Sequence, residues 1–163
     1  MILNIEKELD QKQINKILRA KTQEVPISDL VKPETQKLIN SMIETMYKAN
    51  GIGIAAPQIG ISKQIIVIET SSGPLPLINP KILKHSLTRI SSEEGCLSVP
   101  GKFDKLKRWK TVKVRALDKN GKKIELAPND FTNIILQHEI DHLNGTLFVD
   151  RIKNSLHRGN KLS

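Results

Sequence analysis

The sequence predicts an α+β fold on three observations: one strongly periodic helix on each side of the middle, short β-rich apolar runs between them, and a hairpin turn at Asp118-Lys-Asn-Gly121. Residues 34–50 set Leu38, Ile39, Met42, Ile43, Met46 and Tyr47 three and four positions apart. That spacing predicts an amphipathic helix, with Gly51 as its stop. Residues 65–68, 75–78 and 111–117 read as short strands, and the turn at 118–121 leads into a further strand at 123–126. A second helix is expected over residues 131–143, entered through Pro128-Asn-Asp130 and closed near Gly145. No repeat, low-complexity tract or linker divides the 163 residues, so 1–163 is expected to be one domain, with 154–163 a flexible basic tail.

Composition narrows the classes of function. With 38% hydrophobic and 26% charged residues, the chain is that of a soluble globular protein, and no apolar run is long enough to span a bilayer. The N-terminal residues are rich in acids and show neither a signal core nor transit-peptide bias, which predicts a cytoplasmic address. A single cysteine, Cys96, forms no internal disulfide and suits a reducing compartment. The net charge of +9 favours contact with anionic surfaces, but aromatics are only 3% and the lysines are scattered, so specific DNA or RNA reading is not expected.

The chemistry starts on the second helix. His138-Glu-Ile-Asp-His142 puts two imidazoles four residues apart on one face, where they can grip one cation, and Glu139 beside them can handle the proton of an activated water. Phe131, Ile134 and Ile135 run into these histidines at helical spacing, as an apolar pocket wall would. Two imidazoles are an incomplete ligand set. The extended metalloprotease pattern fails where Phe148 replaces its last histidine, and no glutamate follows His142. Asp150 and His157 are candidates for the third ligand, and Cys96 is the better one.

Three stretches in order, GIGIAAPQ at 51–58, EGCLS at 94–98 and QHEIDH at 137–142, resemble the three motifs of the peptide deformylase family. The similarity extends through residues 38–152, including Gly60, Asn79, Pro80, Arg108 and the stretch 143–150. The short spacing from Gln58 to Cys96, and Gly95 before the cysteine, resemble the bacterial and organellar type I branch. Phe103 and the lysine-rich run 102–110 depart from the pattern near the substrate mouth, which leaves side-chain preference beyond methionine open.

The resemblance implies small mixed or antiparallel sheets around a central helix that carries the metal motif. It implies removal of the formyl group from N-formylmethionyl nascent peptides, releasing formate. Cys96, His138 and His142 would hold one divalent metal ion per chain, ferrous iron in the cell, with zinc, nickel or cobalt also suited to thiolate and imidazole. Glu139 would serve as base and then acid, with Gln58 and the Leu97 backbone N–H donating to the developing oxyanion. Phe131, Ile134 and Ile135 would line the methionine pocket, while Ile52, Gly53 and Gly95 hold the peptide extended. Glu94 and Arg108 would form a charged pair bracing the cysteine loop.

Two rivals stand beside this reading. One is an endopeptidase using the same histidines with Asp150 or His157; the other is a non-catalytic, basic ribosome- or RNA-binding protein. A transient ribosome contact through Arg151, Lys153, Arg158 and Lys161 is compatible with the enzyme, which is expected to be monomeric and to bind no membrane.

Overall fold

The structure is a computed structural model describing residues 1–7 and 15–152. Two short helical turns, α1 (Lys16–Arg19) and α2 (Ile27–Leu30), precede the first long helix, α3 (Pro33–Lys48). Proline opens α3 at its first turn, where its missing N–H costs nothing. The helix ends differently from expectation. Asn50, not Gly51, takes the left-handed conformation (φ 54°), and Gly51 is needed for space, since a Cβ there would lie 2.9 Å from Leu97 Cδ1.

Seven strands follow: β1 (Gly53–Ala55), β2 (Ile65–Thr70), β3 (Gly73–His85), β4 (Arg89–Cys96), β5 (Val99–Trp109), β6 (Val112–Leu117) and β7 (Lys123–Leu126). A 3₁₀ turn, Ala56–Ile59, links β1 towards β2, and the helix α4 (Thr132–Leu143) follows β7, with residues 148–152 helical again after it. Five strands form one antiparallel sheet in the order β1-β2-β3-β6-β7, and β4 and β5 form a separate hairpin. The expected strands at 65–68 and 75–78 fall inside the longer β2 and β3, 123–126 coincides with β7, and 111–117 overlaps β6 except at Thr111, since β6 starts one residue later. The predicted turn is present, with Asp118 Oδ1 accepting from the N–H groups of Asn120 and Lys122.

Strand β2 explains why the sheet has two helical covers. Its Ile65 and Val67 pack with Ile39, Met42 and Met46 of α3, while Ile66 and Ile68 pack with Ile135, Leu136 and Ile140 of α4. A strand buried on both faces reads as a continuous apolar run, as IIVI does here. Helix α4 is buried on nearly every side, so even its polar residues must find partners within the protein. Gln137 meets this need by accepting from the Trp109 N–H and donating to the Trp109 carbonyl, with Asn133 donating alongside, which pins α4 to the end of β5. The β4–β5 hairpin has a smaller apolar cluster, Val99, Leu106, Leu147 and Phe148. Charged side chains carry much of its attachment instead.

Candidate metal centre and active-site cleft

The hairpin and α4 meet at the three predicted ligands. The register of β4 against β5 shifts between Gly95, opposite Phe103, and Cys96, opposite Val99, so Cys96 ends β4 just past an irregularity in the ladder, with its thiol beside α4. Four residues apart on the helix, His138 and His142 stack edge to face with ring centroids 5.0 Å apart. One donor atom from each of Cys96, His138 and His142 lies within 4.8 Å of the other two. Cys96 Sγ is 3.2 Å from His142 Nε2. The 3₁₀ turn adds Gln58, 1% exposed, whose Oε1 accepts the Ala55 N–H at 2.8 Å. That contact aims its Nε2 at Ser98 Oγ (3.3 Å) and Cys96 Sγ (3.6 Å).

Of the rival ligands, Asp150 does not join this group. Asp150 accepts from the Leu147 N–H and pairs with Arg19. His157 and the tail 154–163 lie outside the described residues.

Behind the ligands runs a buried ion network. Arg108, 2% exposed, donates Nε and one terminal nitrogen to the two oxygens of Glu94, both at 2.7 Å, and its other terminal nitrogen to Asp141 at 2.5 Å. Glu94 Oε2 in turn meets His138 Nδ1 at 2.9 Å, fixing which ring nitrogen faces the ligand group. Arg151 grips both oxygens of Asp141. The expected Glu94–Arg108 pair is therefore one part of a longer chain. Sequence reasoning missed Asp141, although it is the variable position inside the His-Glu-Ile-Asp-His run, and Ser98, which stands two residues past Cys96. It also counted Arg151 with the basic tail.

Two histidines and two glutamates are perturbed for identifiable reasons. Burial opposes a charge on His138, but hydrogen bonds to Cys96 and Glu94 outweigh it and raise its pKa to about 10 in the polypeptide alone. Burial, reinforced by the His138 charge, pushes His142 well below its usual value. Glu94 is also penalised by burial, yet the hydrogen bonds from Arg108 and His138 hold it down at about 2. Glu139 has no such help: burial pushes its carboxyl up to about 7. Its Oε2 and His142 Nδ1 are buried without a hydrogen-bond partner among the described residues.

A cleft of about 650 Å³ opens onto this group. Of the predicted site residues, Ile52, Gly53, Gln58, Glu94, Gly95, Cys96, Leu97, Phe131, Ile134, Ile135, His138 and Glu139 line it, while Arg108 and His142 lie behind. The glycines are there because neighbours occupy the space of a side chain. A Cβ on Gly53 would come within 2.3 Å of Glu139 Oε1, and one on Gly95 within 2.4 Å of the Phe103 ring.

The model of the polypeptide deformylase family matches residues 9–158. The chain belongs to the polypeptide deformylase family. It is similar to peptide deformylase 1 of Nostoc sp., at 47% identity over 82% of this chain and 74% of the relative. A ligand-bound class I type b peptide deformylase from Acinetobacter baumannii superposes with a TM-score of 0.86 at 37% identity, covering 93% of this chain and 99% of the other. The structure of that enzyme with Met-Ala-Ser bound gives a TM-score of 0.84 at 35% identity, covering 93% of this chain and 98% of the other. This deformylase is thus a metal-dependent hydrolase acting on the N-formyl amide bond. Its fold is the α+β arrangement expected, with every named strand pair antiparallel and a parallel contact only at the isolated Gln23–Lys63 bridge among the described residues.

Proposed function

We propose that Cys96, His138 and His142 hold the divalent ion, ferrous iron in the cell, and that Glu139 is the proton carrier for deformylation of N-formylmethionyl nascent peptides. The observation carrying this reading is the convergence of one thiol and two imidazoles within 4.8 Å beside a buried carboxyl with a free oxygen. The donor set fits the ion: a soft thiolate and two imidazoles suit iron, zinc, nickel or cobalt, and a cation can replace the proton that His138 otherwise retains. When bound, the ion supplies Lewis acidity, activating water near neutral pH and polarising the formyl oxygen.

The chain's own groups supply the rest. Glu139, its affinity for a proton raised by burial, takes one from the attacking water and returns it to the methionine nitrogen as the C–N bond breaks and formate leaves. Gln58 Nε2, held by the Ala55 contact, and the Leu97 N–H donate to the oxygen that gains charge. Phe131, Ile134 and Ile135 accept the methionine side chain.

The peptide backbone adds as a strand beside β1, which is the edge of its sheet. Ile52 is a weaker partner than its motif position suggests, because its carbonyl already accepts the Glu69 N–H. Alternation along an antiparallel pair then turns both backbone groups of Gly53 to the free edge. Gly95 faces the cleft from the hairpin. The Met-Ala-Ser held by the Acinetobacter relative supports a methionine-led peptide here.

We infer a cytoplasmic monomer that works near the ribosome, where its nascent-chain substrate emerges. Replacing Cys96 by serine tests the ligand set against the endopeptidase reading. The variant should lose stoichiometric metal and activity; retention of both would refute the assignment.

A further inference from the structure

We propose that Arg151 is a positioning residue of the metal centre, fixing the His138 imidazole from the protein surface through Asp141, Arg108 and Glu94. The inference rests on the reading of His138 as a ligand. Four contacts link the two residues. Arg151 places Nε and a terminal nitrogen on the two oxygens of Asp141. Asp141 Oδ2 also accepts from Arg108 at 2.5 Å, Arg108 holds both oxygens of Glu94 at 2.7 Å, and Glu94 Oε2 meets His138 Nδ1 at 2.9 Å. The inner links are buried, whereas the Arg151 side chain is 37% exposed.

Charge and geometry make the outer link matter to the inner one. Two carboxylates, Glu94 and Asp141, are balanced by two guanidiniums. Without Arg151, Arg108 must serve both buried carboxylates, and its rigid fork cannot turn towards Asp141 without loosening its two-point hold on Glu94. Glu94 then orients the His138 ring less firmly. A lysine at 151 keeps the charge but grips one point only.

The test uses the full-length protein loaded with Co²⁺, reading release to excess chelator, the visible ligand-field spectrum, and KM beside kcat. Partners of metal-ligating histidines affect metal affinity about 10–100-fold. Arg151→Gln should speed Co²⁺ release about tenfold, the low end of that range, and shift the spectrum while leaving KM unchanged. Arg151→Lys should fall between it and the wild type.

Lys113→Gln is the control for loss of a surface cation, because it removes an exposed pair with Glu125 without touching Asp141. It should match the wild type in release rate and spectrum. Wild-type release and spectrum in Arg151→Gln would overturn the proposal, as would equal acceleration in Lys113→Gln. Retention of Co²⁺ by Cys96→Ser at the wild-type rate would overturn the ligand reading itself, and is distinguished because it does not involve Arg151.

Discussion

Gly53→Ala should separate catalysis from stability in this deformylase. The backbone of Gly53 lies outside the left-handed region, so alanine meets no conformational barrier. The obstacle is steric: the new Cβ would sit 2.3 Å from Glu139 Oε1 and 2.9 Å from Ile135 Cγ2, where ordinary contact begins at 3.4 Å. The Glu139 oxygen must therefore retreat by about 1.1 Å. For stability this is mild, because the atom ends a flexible side chain; a loss of about 1–2 kcal/mol is expected from the overpacking. For catalysis the same shift is severe, since misplacement of a reacting group by about 1 Å can cost on the order of 10²-fold in rate, or about 2.7 kcal/mol. The assay is single-turnover deformylation of a formyl-Met peptide, run beside metal content and a thermal melt. The variant should be folded, metal-replete and about a hundredfold slow. Turnover within threefold of the wild type would refute the placement of Glu139 against Gly53.

Two further substitutions probe separate parts of the site. Arg108→Leu leaves Glu94 and Asp141 buried with half their cationic partners, so denaturant titration should show a loss of about 3–5 kcal/mol, far above the cost of an exposed ion pair. Gln58→Ala removes a donor from the developing oxyanion, and steady-state kinetics should show kcat lower by about 10²–10³ with little change in KM.

The sequence foretold the parts of the fold whose hydrophobic pattern is regular. Helix α3 and strands β6 and β7 turn apolar residues inward at the period of their backbone, β2 is a short continuous apolar run, and each was legible from that alone. The β4–β5 hairpin was not. Its inward positions include Ser92, Glu94 and Arg108, so the alternation that marks a half-buried strand is erased by the charges that serve the metal centre. Strand β1 has only three residues, too few for a periodic signal, and its residues stood out only as part of the glycine-rich motif, not as a strand.

The site was legible for a different reason. His138 and His142 declare themselves by helical spacing, while Cys96, Gln58 and Gly53 required the family resemblance, because long-range convergence leaves no local pattern. Asp141 and Arg151 stayed hidden, since nothing in their own neighbourhoods shows that one guanidinium from β5 and another from beyond α4 meet on the same carboxylate.

The central claim, that Glu139 carries the proton while its neighbours hold the ion, is tested most directly by Glu139→Gln and Glu139→Ala, with metal per chain measured beside single-turnover deformylation. A ligand and a proton carrier fail differently. Glu139 stands next to His138 but outside the group of converging donors, and its buried Oε2 is free among the described residues. Both variants should keep a full complement of metal while turnover falls by about 10²–10⁴, with formyl-peptide binding changed much less than rate. Near-normal turnover in either variant, or loss of metal in both, would contradict the account.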